Sequence, residues 1–143
     1  MPELPEVETV RRQLAPRLEG RILVAYAVRD PKWTAPRDPK EVVAPLLGRA
    51  IVRFARRGKY LIWEAEDELF LLMHLRMTGT LLYDAPPRTP YTRAHFGFED
   101  GHDLRFVDPR RFGTGWLLAG RPELDAYLGA RLGVEPFSDA FTA

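Results

Sequence analysis

Val7, Val10, Leu14 and Leu18 recur at three- and four-residue spacing behind Pro5, a period that gathers apolar side chains on one face of a first helix. Pro16 and Gly20 are expected to end it. The pattern then changes. From Arg21 to Arg29, Leu23, Ala25 and Ala27 alternate with Ile22, Val24 and Tyr26, the two-residue period of a strand. Positions 30–40 are rich in proline and charge and read as a loop, and Lys40 to Leu47 as a short helix stopped by Gly48.

Beyond Gly48 the strand signal is dense. Arg49–Arg56, Lys59–Glu66, Leu69–Arg76 and Thr80–Tyr83 are short runs of branched and aromatic residues. Arg57-Gly58, Asp67-Glu68 and Thr78-Gly79 separate them as hairpin-like turns. Residues 84–92 hold three prolines and form a loop, after which Ala94–Glu99, Asp103–Val107 and Gly113–Leu118 read as further strands. A last helix begins near Pro122, with Leu124, Tyr127, Leu128 and Leu132 on one face. About eight short strands at this spacing predict a mainly β protein, an antiparallel sandwich or barrel flanked by a few helices. Residues 1–132 are expected to form the domain, and 133–143, where the periodicity is lost, to begin a linker.

A length of 143 residues fits one domain, and 45% hydrophobic residues can fill its core. No run approaches the eighteen or so apolar residues of a membrane span, and the start lacks a basic-then-apolar leader. A cytoplasmic location is the expectation. There is no cysteine, hence no disulfide framework and no cysteine-based zinc site, and nothing pairs His74, His95 and His102 as metal ligands.

A net charge of +1 is too small to argue for nucleic acid. Its placement says more. Arg53, Arg56, Arg57 and Lys59 fall between Ile51 and Tyr60 with no acid among them, and Arg110-Arg111 forms a second basic pair. Arginines in loops are commonly just solvated. Two basic loops beside aromatic residues and methionine favour a phosphate-binding face.

The first eight residues, Met1 to Glu8, carry candidate chemistry. Removal of Met1 leaves Pro2 with a free secondary amine, and an α-amino group (pKa roughly 7.7–8.0) is substantially neutral at physiological pH. Such an amine can attack a masked aldehyde to form an iminium, and Glu3 and Glu6 could move the protons. If Met1 stays attached, Pro2 nitrogen is an amide, its lone pair is delocalised, and that chemistry is closed. The competing reading makes Pro2 and Pro5 helix punctuation, with Glu6 and Glu8 favourable in the first turn.

Four segments resemble the bacterial formamidopyrimidine-DNA glycosylase family: Pro2-Glu3-Leu4-Pro5-Glu6-Val7-Glu8-Thr9, Arg57-Gly58-Lys59-Tyr60-Leu61, His74-Leu75-Arg76-Met77-Thr78-Gly79 and Asp108-Pro109-Arg110-Arg111-Phe112-Gly113. They occur in the family's order, and the resemblance runs over the whole chain. Leu4 favours this branch over the sister endonuclease VIII group, whose start usually has glycine there.

The resemblance implies a two-layered β sandwich flanked by helices, acting on oxidised purines (8-oxoguanine and formamidopyrimidines) in duplex DNA. It implies Pro2 as the Schiff-base nucleophile, Glu3 handling protons at the sugar, Glu6 supporting the site, and Lys59 near the lesion phosphate and base. His74 would contact phosphate, and Arg57 and Arg111 belong to the expected DNA-binding set. Met77, Arg110 and Phe112 would fill the void left by the extruded base; the competing reading buries Met77 and Phe112 in the core. A nucleoid-associated monomer with no organic cofactor is expected. The family's helix–two-turn–helix and four-cysteine zinc finger are missing from this sequence, so one structural zinc is expected in a second half. A non-catalytic DNA-binding domain on the same scaffold is the alternative.

Overall fold

The computed structural model describes residues 4–132. Met1, Pro2, Glu3 and the expected linker 133–143 lie outside the described residues.

Eight strands form two antiparallel sheets. The first sheet holds β1 (Leu23–Val28), β6 (Thr92–Phe98), β7 (Asp103–Val107) and β5 (Thr80–Tyr83) in that order. The second holds β2 (Ile51–Arg57), β3 (Tyr60–Ala65), β4 (Leu69–His74) and β8 (Thr114–Ala119). Three α-helices flank them: α1 (Leu4–Leu18), α2 (Pro39–Val43) and α3 (Arg121–Leu132). The expected two-layered sandwich is therefore what the chain builds.

Between the layers lie Phe54, Trp63, Phe96 and Phe106, all fully buried. Trp33 joins them from the stretch expected to be a plain loop. Its 3-10 turn, Pro31–Trp33, starts on Asp30, whose carboxylate accepts from Lys32 N at 3.1 Å. The Trp33 ring meets Phe106 at 5.4 Å and Phe96 at 6.0 Å between centroids. Gly115 makes the room, since a Cβ there would stand 2.4 Å from the indole. On the outer face of the second sheet, Leu124 and Leu128 of α3 cover Ile62, Phe70, Leu72 and Leu118.

Two expectations need correction. Pro16 does not end α1, which runs to Leu18 and closes with Glu19 N bonded to Ala15 O at 2.9 Å before Gly20 turns at φ 88°. The proline's missing N–H would have met the carbonyl of Arg12, an exposed residue that water can serve in the last turns. Nor does Thr78-Gly79 close a hairpin. β4 pairs with β3 and β8, while β5 pairs with β7, so the chain crosses from one sheet to the other there. Residues 108–113 make the return crossing.

The register puts these crossings side by side. His74 opposes both Tyr60 and Thr114, and Val107 opposes both Thr80 and Thr92. The β2–β3 turn, both crossings and the end of the 84–92 loop therefore share one rim of the sandwich.

Candidate catalytic cleft and nucleic-acid interface

The β2–β3 hairpin closes between Arg57 and Tyr60 with Gly58 at φ 58°, a left-handed backbone that favours glycine. This turn presents half-buried Lys59 to a cleft of about 460 Å³. Leu4, Tyr60, His74, Arg76 and Arg131 also line it. Leu4, the first residue of α1, therefore lines the same cleft as Lys59.

His74 is 8% exposed. Its Nδ1 accepts from Arg76 N at 3.0 Å, and its ring stands edge-on to Tyr60 with centroids 4.8 Å apart. Burial first, and then the charges of Arg76 and Lys59, lower its pKa to about 4. The ring is neutral at pH 7, and with Nδ1 accepting, its hydrogen sits on Nε2. His74 thus carries a fixed N–H donor rather than a charge.

A second cleft of about 350 Å³ is lined by Glu6, Val10, Leu75, Met77, Thr78 and Thr80. Glu6 is exposed on the first turn of α1, and Met77 stands 48% exposed on the first crossing. Arg76 before it takes φ 57°, and Gly79 behind it has no room for a side chain, because a Cβ would lie 2.5 Å from Leu75 O.

The second crossing is organised by Asp108, a fully buried carboxylate. Its Oδ2 accepts from Gly113 N at 2.6 Å, and its Oδ1 from Arg110 N at 3.2 Å and from the Thr78 hydroxyl. Arg93 holds the carbonyl of Asp108 at 2.8 Å. Phe112 is left 41% exposed at the tip, with Arg110 4.8 Å and Lys32 5.6 Å from its ring centre. Among the described residues, Arg110 makes no ion pair.

Arg57 and Arg111 are placed differently. Arg111, at φ 61°, is forked onto Asp30 at 2.6 and 2.8 Å, which ties the crossing to the 3-10 turn below it. That fork depresses the pKa of Asp30, and burial opposes it less strongly. Arg57 points to the outer face of its sheet and reaches Asp125 of α3 at 3.3 Å. Both guanidiniums are engaged by carboxylates, whereas Lys59, Met77, Arg110 and Phe112 face the shared rim.

Sequence reading did not single out Arg76, Arg131 or the 54% exposed Tyr91 as rim residues. Tyr91 lay in a segment readable only as proline-rich loop, and Arg131 on a helix without chemical signature. Among the described residues no group of three His, Cys, Asp or Glu side chains could hold a metal ion, and no helix is long and apolar enough to cross a membrane.

Residues 1–115 match the family model of the formamidopyrimidine-DNA glycosylase N-terminal domain. The formamidopyrimidine-DNA glycosylase of Moorella thermoacetica is 44% identical over 100% of this chain and 53% of its own length. That of Laribacter hongkongensis is 43% identical over 100% of the chain and 53% of its own length. The chain thus spans about half the length of the curated relatives it matches. Among solved structures, Lactococcus lactis Fpg in complex with a FAPY-dG-containing DNA superimposes with a TM-score of 0.81 and 34% identity. The match covers 88% of this chain and 48% of that one. The Lactococcus lactis Fpg complex with abasic-site DNA matches equally, at a TM-score of 0.81 over 88% of this chain and 47% of that one.

Proposed function

The chain belongs to the formamidopyrimidine-DNA glycosylase family, and on that premise we propose that it is the catalytic half of a base-excision repair enzyme. Its substrates are oxidised purines in duplex DNA, 8-oxoguanine and formamidopyrimidines, and its second activity is cleavage of the strand at the resulting abasic site. The observation that supports this reading is the meeting of Leu4, at the start of α1, with Lys59, His74 and Arg76 at one cleft. Glu6 and Met77 line a second cleft beside the same helix turn.

The chemistry follows from an amine, a carboxylate and a basic rim. The damaged nucleotide is turned out of the stack, at a cost of a few kcal/mol. Met77 and Phe112 fill the space, and the guanidinium of Arg110 meets the orphaned partner base. The lone pair of Pro2 nitrogen bonds C1′ as the bond to the base breaks, and that electron pair leaves with the base. The alkylated nitrogen sheds its proton, which neutralises the departed base. Its restored lone pair then expels the ring oxygen, to which Glu3 delivers a proton, leaving an open sugar joined as an iminium. The iminium acidifies the sugar, so loss of a C2′ proton expels the 3′ phosphate and a further deprotonation expels the 5′ phosphate. Lys59 and His74 hold the backbone phosphates, one by charge and one by a neutral N–H. The structural zinc expected of a second half would hold together a finger that grips the DNA backbone. A bacterial cytoplasm, at the nucleoid, is where such a substrate lies.

Borohydride trapping on an abasic duplex, with the N-terminal residue read by intact mass on the same sample, tests this. An adduct only on molecules that have lost Met1 is the expected result. DNA binding that ignores the N-terminus, with no adduct even when Pro2 is free, would sink the catalytic reading and leave a binding domain.

A further inference from the structure

We propose that Arg56 and Glu8 are positioning residues, a clamp that sets the start of α1 against the turn carrying Lys59. This rests on the function proposed above. Glu8 lies four residues after Leu4, one helical turn on along the same face of α1. Its carboxylate receives Arg11 at 3.0 and 2.6 Å, Arg12 at 2.9 Å and, from across the fold, Arg56 Nε at 2.8 Å. The same Arg56 guanidinium donates from Nη1 to the carbonyl of Gly58 at 2.9 Å. One planar group thus bridges the first turns of α1 and the peptide that leads into Lys59.

The bridge is well sheltered, with the side chains of Arg56 and Glu8 only 16% and 18% exposed. Arg11, helped by burial-resisting bonds from Arg56 and Arg12, holds the Glu8 pKa down at about 2, so the carboxylate stays charged across the working range. A plain stabilising pair is the competing explanation. It does not account for the third guanidinium: Arg11 already meets both Glu8 oxygens, so the added arm of Arg56 serves to tie helix to turn. Leu4 and Lys59, the residues at the two ends of this tie, line the same cleft. Lysine is a flexible point charge, and here it rides on a two-residue turn with glycine. A misplacement of about 1 Å can cost ~100-fold in rate, so a braced turn matters more for chemistry than for folding.

Arg56→Lys separates the two explanations, because it keeps the charge but lacks the planar fork that spans Glu8 and Gly58 O. In the full-length protein carrying this chain, freed of Met1 and verified by mass, single-turnover borohydride trapping on an abasic duplex gives the rate. The expected result is a ~10–100-fold slower maximal rate. Half-saturating DNA stays within about threefold and the thermal midpoint within about 2 °C of the unsubstituted protein. Glu8→Gln slows trapping in the same direction, and the double variant is no slower than the worse single one, as residues of one unit behave. A maximal rate within about twofold of the unsubstituted protein, or a loss that merely follows weaker DNA binding or a lower midpoint, overturns the clamp. No adduct from the unsubstituted protein would instead overturn the Schiff-base reading on which the clamp rests.

Discussion

Thr78 and Asp108, 30 residues apart, are joined by a hydrogen bond from the threonine hydroxyl to the carboxylate. Thr78 follows the exposed Met77 on one crossing between the sheets, and Asp108 opens the crossing that carries Arg110 and Phe112. The two rim elements that would enter the DNA stack are therefore bolted into one unit by a buried side chain.

Asp108→Ala removes the acceptor for Thr78, Arg110 N and Gly113 N together. Leaving such buried donors unpaired is expected to lower stability by roughly 2–4 kcal/mol. Thr78→Val, which breaks a single arm, should cost about 1 kcal/mol. Urea unfolding of both variants measures this, and an alanine variant as stable as the parent would refute the bolt.

Met77→Ala and Phe112→Ala should leave stability within about 0.5 kcal/mol, because both side chains stand in water at 48% and 41% exposure. Binding of an abasic duplex, followed by fluorescence anisotropy, should weaken at least ~10-fold for Phe112→Ala if the ring wedges between base steps. A large stability loss with unchanged DNA binding would return both residues to a core role.

Arg110 and Arg111 should part company despite being neighbours. Arg111→Ala strips the forked partner from buried Asp30 and should lower the thermal midpoint measurably. Arg110→Ala should leave the midpoint unchanged and reduce affinity for duplexes containing an extruded base. Identical behaviour of the two variants in melting and in anisotropy would contradict this division.

His74 should make folding stability fall on mild acidification. Its pKa is lowered to about 4 in the fold against 6.5 unfolded, so between those values the unfolded chain binds more protons. Stability therefore rises as pH increases from about 4 to 6.5 and is flat above, with His74 supplying on the order of 2–3 kcal/mol of the change. The difference in urea stability between the parent and His74→Gln across this window isolates the histidine. A difference that does not vary with pH would disprove the shift.

Gly115→Ala should destabilise by about 1–3 kcal/mol or more, since its Cβ would stand 2.4 Å from the Trp33 ring in a packed core. Near-ultraviolet circular dichroism should show the indole's environment change along with the loss in urea stability. Unaltered spectra and stability would mean that the ring moves aside freely.

Much of this was legible in the chain itself. The apolar period of Val7, Val10, Leu14 and Leu18, the alternation in residues 21–29 and the short runs of branched and aromatic residues beyond Gly48 specify the elements, because the spacing and type of apolar residues are local properties. The motif residues Lys59, His74, Met77, Arg110 and Phe112 were legible for a different reason: the short segments that carry them resemble the family's, without which a lysine after a hairpin turn is an ordinary surface residue. Their assembly was not. Alternation says which face of a strand is apolar and nothing about its partner, so Thr78-Gly79 read as a hairpin although β4 and β5 sit in different sheets. Proline-rich composition likewise hid Trp33, whose burial depends on a space opened by Gly115, 82 positions further along. Arg57 and Arg111 looked no different from Lys59 and Arg110 because charge is visible in a sequence, whereas a carboxylate waiting in three dimensions, Asp125 or Asp30, is not. What the sequence determined by itself is the set of elements and the chemical groups they carry. Only the tertiary structure decided which groups share a rim and which are bound by partners, since those contacts join residues far apart along the chain and form only when the two sheets close on one core.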